Sequence, residues 1–290
     1  MSFRYYLNVA GVNILLESDC NIEEDEAFLP FLTDERTPDI HAVIRKTDSL
    51  PPIPTSPLYS DTFCAISKNS KGHDQKFFFR NDDIQSGYSV STYHPDNKHI
   101  LIEYPDSKAY EHLTMDSCFY WLGFEAYLLH RNKLCLHASF VDTPMGGLLF
   151  SGVSGIGKST QADLWCRYRG AKQINGDRPI LSKEENGWIA FGSPYAGSSR
   201  YHINECAPIT AIMLLKQAPT CSVRRLSPME AFRRVWAGMT VRSWDPSFVD
   251  AASLLTIDLI TAVPVFEFCC TPDEQAINIL EAELRKECSL

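Results

Sequence analysis

The sequence predicts a mixed α/β fold of the α+β kind, and three observations carry that expectation. Gly152-Val153-Ser154-Gly155-Ile156-Gly157-Lys158-Ser159 spells G-x-x-x-x-G-K-[ST]. It lies between an apolar, strand-like stretch, Gly147-Leu148-Leu149-Phe150-Ser151, and a helix-forming run from Thr160 to Tyr168. Residues 1–110 read as short strands broken by turn-rich segments. Two helix-start signatures, Ser227-Pro228-Met229-Glu230 and Thr271-Pro272-Asp273-Glu274, follow the loop. The expected organisation is a β-rich domain over 1–110, a connecting helix over 111–132 and a nucleotide-binding domain over 133–290.

Taken in order, Tyr5 to Ala10 and Val12 to Leu16 form a hairpin bent at Ala10-Gly11. Further strands are expected at Ile40 to Ile44, Thr62 to Ile66, Lys76 to Phe79, Tyr88 to Thr92 and His99 to Tyr104. Turn-rich segments such as Pro51 to Pro57 and Lys68 to Gly72 separate them. This half carries no recognisable chemistry. Asp116 to His130 places Phe119, Leu122, Ala126 and Leu129 at helical intervals, which predicts one packing helix between the halves. Leu134 to Val141 reads as one buried strand, and Asp142 to Gly146 as the turn into the loop's own strand. Gly170 stops the loop helix, and a short strand leads to Asn175-Gly176-Asp177-Arg178. Trp188 to Phe191 and Ile209 to Leu215 are further strands, separated by a small-residue loop from Gly192 to Arg200. A helix runs from the first capping box to about Gly238, and the second box starts the final helix.

Composition narrows the function classes. A chain of 290 residues, 44% hydrophobic and 22% charged, suits one large or two modest soluble domains. A formal charge of −9 argues against a nucleic-acid surface, which needs clustered Lys and Arg. Met1 to Tyr6 lacks the layout of a signal peptide, and no apolar stretch approaches the roughly 18 residues of a membrane helix. Ten cysteines are scattered without C-x-x-C or zinc-like spacing. Cys135 and Cys166 lie in apolar or helical runs, where a thiol behaves as a small hydrophobe. The expectation is a reduced, cytoplasmic protein with neither nucleic acid nor membrane as partner.

The chemistry gathers around the loop. Its glycines let backbone amides turn inward around phosphate oxygens, and the positive end of the following helix faces the same anion. The expected nucleotide contacts are Gly152, Val153, Ser154, Gly155, Ile156, Gly157, Lys158, Ser159 and Thr160. Lys158 would reach the β/γ-phosphates of ATP or GTP, and the Ser159 hydroxyl would hold Mg²⁺. Asp177 stands 19 residues after Lys158, at a strand end. It is either a metal carboxylate, a base for an acceptor hydroxyl, or a turn-forming aspartate after Asn-Gly. His137 is either a satisfied core residue or a group that orients acceptor or phosphate. Ser193 and Arg200 are candidate substrate or phosphate contacts, although their loop reads equally well as a plain connection. Arg200, Arg224 and Arg225 could clamp phosphate; Arg224 and Arg225 also read as solvated surface.

The order Leu136-His137-Ala138-Ser139, then Gly152 to Ser159, then Asn175-Gly176-Asp177 resembles HPr kinase/phosphorylase and its superfamily, which includes phosphoenolpyruvate carboxykinase. The resemblance is strongest over 133–182 and extends toward the C-terminus, whereas residues 1–110 do not look like the HPr kinase N-terminal domain. Gly192 to Gly197 and Asn175 to Pro179 look like an HPr kinase-like branch, some members of which serve modified-peptide biosynthesis. The resemblance implies a C-terminal phosphate-loop domain of mixed sheet and flanking helices. It also implies Lys158, Asp177 and His137 as catalytic residues, Ser159 and Asp177 on Mg²⁺, and a homo-oligomer, since HPr kinases form hexamers. One departure stands out: the family shows two adjacent acidic residues at this strand end, and here Gly176 takes the first place. Either Asp177 covers both tasks, or another carboxylate such as Glu205 substitutes, or transfer is impaired. The expected function is an ATP- and Mg²⁺-dependent kinase acting on a hydroxyl, Ser or Thr of a peptide or small protein, with the β-rich half recognising the acceptor. The alternatives are a kinase for a free amino acid or sugar, and a nucleotide-binding regulator without turnover.

Overall fold

A computed structural model of the chain describes residues 2–79, 88–106, 112–195 and 197–288. They form two compact units, Met1–Tyr127 and Leu128–Leu290. The domain boundary expected at 110/111, and Ala196 in the small-residue loop, lie outside the described residues.

In the first unit, β1 (Phe3–Val9), β2 (Val12–Ser18), β3 (Ile40–Thr47), β4 (Tyr59–Ser60), β5 (Cys64–Lys68), β6 (Asp74–Phe79), β7 (Tyr88–Tyr93) and β8 (His99–Pro105) build one sheet. Its order is β1-β2-β3-β8-β7-β6-β5-β4. β3 runs parallel to both β2 and β8, and the remaining neighbours are antiparallel. Ala10 and Gly11 both take positive φ, 51° and 77°, the backbone that a two-residue primed hairpin turn requires. The helix expected over 116–130 is two helices. α1 (Met115–Leu122) ends at Gly123, whose φ of 64° breaks the ladder, and α2 (Phe124–His130) restarts at once. α1 packs on the first unit's own sheet: Ser91 Oγ and Tyr93 OH both donate to the Trp121 carbonyl, at 2.8 and 3.0 Å.

The second unit is a mixed sheet covered on both faces. Its elements are β9 (Lys133–Cys135), β10 (Ala138–Thr143), β11 (Gly146–Ser151), α3 (Lys158–Arg169), β12 (Lys172–Asn175), β13 (Ile180–Glu184), β14 (Gly187–Phe191), β15 (Cys206–Gln217), β16 (Ser222–Arg225), α4 (Pro228–Trp236), α5 (Pro246–Ala262), β17 (Val265–Cys270) and α6 (Glu274–Glu287). The strand order is β12-β10-β11-β15-β14-β13-β9, with β17 also on β15 and β16 on β17. β15 runs parallel to β11 and β17, while its first residues pair antiparallel with β14. Because side chains alternate along a strand, successive residues enter two cores. Phe140, Leu149, Ile212 and Leu214 join Val235, Phe248 and Leu259 of α4 and α5. Val141, Leu148, Phe150 and Met213 join Trp165, Ile277 and Leu280 of α3 and α6.

Three expectations change here. Leu134 to Val141 is not one strand: β9 pairs with β13, β10 pairs with β11 and β12, and the chain crosses between them at Leu136-His137. The crossing is held from outside, by Leu136 N on Pro179 O, His137 N on Gly238 O (2.8 Å) and Ala138 N on Asp177 O (2.9 Å). The final helix is capped by Asp273, which accepts from Ala276 N, and not by Thr271. Thr271 instead follows the last residue of β17, its carbonyl taking Gln161 Nε2 and its hydroxyl lying 3.0 Å from Cys221 Sγ. α5, 17 residues long, was not expected from the sequence; its one local start signal is Asp245-Pro246, where the Asp245 side chain accepts from Phe248 N. Among the described residues no helix is long and apolar enough to cross a membrane.

Candidate functional site

The glycine loop leaves β11 and enters α3. Gly155 and Gly157 hold φ of 76° and 112°, left-handed values that a side chain would strain. Gly157 caps α3 without a side chain and no acidic residue sits in the first turn, so the amides and the positive end of the helix dipole stay uncovered. Val153 is 72% exposed, and Ser154, Gly155, Ser159 and Thr160 are exposed too. Lys158 is the exception: buried, it folds its ammonium back onto the carbonyls of Gly152 (3.1 Å) and Val153 (3.3 Å). Burial pulls its pKa down, against the attraction of Asp177.

Asp177 is placed by Asn175, which is fully buried at the end of β12. Asn175 Oδ1 accepts from Asp177 N (3.1 Å) and Arg178 N (2.8 Å). Its Nδ2 donates to the carbonyls of Ser193 (2.9 Å) and Tyr195 (3.2 Å) and to Ser193 Oγ (3.3 Å). One side chain thus ties the strand end to the start of the small-residue loop. The same loop then closes over Asp177: a Cβ on Gly197, whose φ is 56°, would lie 2.8 Å from Asp177 Cβ. Around the carboxylate stand His137 Nδ1 at 2.8 Å from Oδ1, close but off the ring's donor axis, and Arg178 Nε at 3.4 Å from Oδ2. Burial raises the Asp177 pKa, but His137, Arg178 and Lys158 together outweigh it, and the group stays below its ordinary value of 3.8. Ser139 Oγ donates to Gly176 O and Ser151 Oγ to His137 O, which fixes both backbones that carry the pair.

Lys158, Asp177 and His137 therefore share one neighbourhood, as the sequence reading expected of its three catalytic candidates. Ser193 does not face it as a ligand: fully buried, its hydroxyl donates to Arg178 O at 2.7 Å, so its part is to hold the loop. Arg200 is exposed, with φ of 60° at the end of the Gly197–Ser199 turn, and lines no part of the cavity described below. Arg224 pairs with Glu230 and Glu267, and Arg225 with Glu287, all carboxylates of the sheet edge and neighbouring helices. Glu205 pairs with Lys172 at 2.6 Å, at the opposite end of β12 from Asp177, and so stands away from the Asp177 carboxylate.

A cavity of about 510 Å³ opens beside Gly152 and His137, lined further by Arg178, Arg233, Arg234 and Met239. Arg234 is partly neutralised by Glu267 at 2.7 Å, and Arg178 also donates to Thr240 Oγ1. The sequence reading missed Arg233 and Arg234. The capping box at Ser227 gave the helix, but only the packing of α4 brings its basic last turn to the loop.

No family model and no curated protein matches the sequence. Among solved structures, the Hpr(Ser) kinase/phosphatase from Coxiella burnetii matches at 15% identity and a TM-score of 0.32, over 52% of this chain and 88% of that one. Fold and site together describe a mixed α/β protein whose exposed glycine loop opens a helix beside a buried lysine, Lys158, and a half-buried Asp177–His137 pair.

Proposed function

We propose that the chain is a Mg²⁺-dependent kinase that moves the γ-phosphoryl group of ATP or GTP to a hydroxyl, Ser or Thr of a peptide or small protein. The observation that carries this reading is the left-handed glycine loop with Lys158 at its end and an ionised Asp177 within electrostatic reach. Lys158 exchanges two loop carbonyls for phosphate oxygens, and the free amides of the loop take the remaining charge. The exposed Ser159 hydroxyl and the Asp177 carboxylate are two hard oxygen donors, a set suited to Mg²⁺, which fills its other positions with phosphate and water. When bound, the ion would neutralise charge between the phosphates. Asp177 receives the proton of the acceptor hydroxyl, while His137 and Arg178 keep it ionised until then. Positioning and charge neutralisation supply most of the acceleration in phosphoryl transfer, so one carboxylate suffices. The arginine-lined cavity beside Gly152 is the entry for the acceptor.

The test is incorporation of γ-label from ATP into co-encoded peptides or lysate proteins, wild type against Lys158→Ala. Equal labelling rejects the reading. A second reading, a nucleotide-binding regulator without turnover, draws support from Gly176, whose amide donates to Tyr201 O, whose carbonyl accepts from Ser139 Oγ and which offers no side chain. Tight nucleotide binding without ADP release over hours would favour it.

A further inference from the structure

Four of the eight histidines in the chain, His41, His73, His94 and His99, line a single cavity of about 510 Å³ in the first unit. Neither the glycine loop nor the proposed transfer uses any of them. Two belong to the hairpin between β7 and β8, where the sequence reads His94-Pro95-Asp96-Asn97-Lys98-His99. Asp96 is the centre of that hairpin: its Oδ1 accepts from Lys98 N (2.8 Å) and His99 N (3.2 Å), which fixes the carboxylate before any ligand arrives. His94 Nδ1 lies 3.2 Å from Oδ1 and His99 Nδ1 lies 2.8 Å from Oδ2. The three ligating atoms all fall within 4.8 Å of one another, the group among the described residues that meets this spacing. His73, from the turn between β5 and β6, sets its ring edge-on to His94 at 5.1 Å.

We infer that His94, Asp96 and His99 form a site for a divalent transition metal, Zn²⁺ by ligand type, with His73 or water completing the coordination. Two imidazoles and one carboxylate are a donor set that Zn²⁺ prefers over Mg²⁺ or Ca²⁺, which take oxygen. Metal–ligand bonds of about 2.0–2.1 Å in a tetrahedron place ligand atoms roughly 3.3 Å apart. The observed separations of 3.2 and 2.8 Å run to the two different oxygens of Asp96, and all three ligating atoms lie within 4.8 Å of one another, so rotations of exposed side chains bring both imidazoles and one oxygen onto a single ion. The backbone amides on Asp96 act as the outer hydrogen bonds that orient a metal-bound carboxylate. A hairpin tip with these residues only as turn formers would need Asp96 alone, not two imidazoles turned onto it and a third beside them.

The experiment titrates the chelator-treated full chain with Zn²⁺ by calorimetry and with Co²⁺ by absorption. The expected result is one ion per chain with Co²⁺ bands in the visible, and an affinity weakened by about 10- to 100-fold or more in His94→Ala and in His99→Ala. His112→Ala, outside the cavity, should bind as wild type does. Wild-type protein gives an independent readout: Zn²⁺ should protect His94 and His99, but not His112, from carbethoxylation mapped by mass spectrometry. Equal affinity in the His94 and His99 variants overturns the site. Unprotected His94 and His99 in saturating Zn²⁺, or a near-ultraviolet thiolate band that assigns Co²⁺ to cysteine, overturns it as well.

Discussion

Asn175→Ala removes no charged group, yet it should be among the most damaging single changes in the second unit. The side chain is fully buried: its Oδ1 accepts from the amides of Asp177 and Arg178, and its two Nδ2 hydrogens are shared among Ser193 O, Ser193 Oγ and Tyr195 O, which makes four full bonds. At a net value of about 1–1.5 kcal/mol each, their loss costs about 4–6 kcal/mol. A water entering the vacated space would restore part of that, which sets the expectation at about 3–5 kcal/mol. For a unit of this size that corresponds to a fall of about 6–20 °C in Tm. Asn175→Asp is the sharper variant, since it keeps the acceptor but turns an oxygen toward two carbonyls; it should cost at least as much. The assay is scanning calorimetry with guanidinium titration of both variants. A cost below about 1 kcal/mol for Asn175→Ala, or wild-type stability for Asn175→Asp, refutes the claim that this residue builds the Asp177 turn.

Other consequences follow from the same geometry. Gly197→Ala should cost about 1–2 kcal/mol for its left-handed backbone and a further ~1–3 kcal/mol for displacing Asp177; calorimetry and nucleotide turnover, measured together, should both fall. Asp177 has a folded pKa below its ordinary 3.8, so its stabilising contribution is present above that pH and is lost as pH drops through the folded value. Asp177→Asn should therefore be less stable than wild type at pH 7, with the gap closing below pH 4; a constant gap by thermal scans would count against the His137–Asp177–Arg178 cluster. Arg233→Ala should raise KM for the acceptor with little effect on nucleotide affinity, and an unchanged KM would remove the cavity from acceptor binding.

What could be read from the sequence was what is fixed locally. The Ala10-Gly11 hairpin, the glycine loop and the Ser227 capping box depend on residues within a few positions of each other, and each has the expected form. The break at Leu136-His137 could not be read, because its hydrogen-bond partners are Pro179, Gly238 and Asp177, distant in sequence. α5 was hidden for a different reason: Ala251 to Ala262 mixes Leu, Ile and Thr with few charges, so no helical stripe stands out from the apolar run. In the site, the loop motif and the strand-end Asp177 were legible, whereas Arg233 and Arg234 reach it only through the packing of α4. Ser193 had the right composition for a ligand contact, but burial shows it holding the backbone of Arg178.

The most direct measurement is isothermal titration of wild type and Lys158→Ala with Mg²⁺-ATP and Mg²⁺-GTP. The expected result is saturable binding of one nucleotide per chain, weakened about 10- to 150-fold when the ammonium is removed, as for a charge-assisted contact of about 1.5–3 kcal/mol. Absence of heat and of any thermal shift with either nucleotide, or equal affinity in the two proteins, contradicts the account.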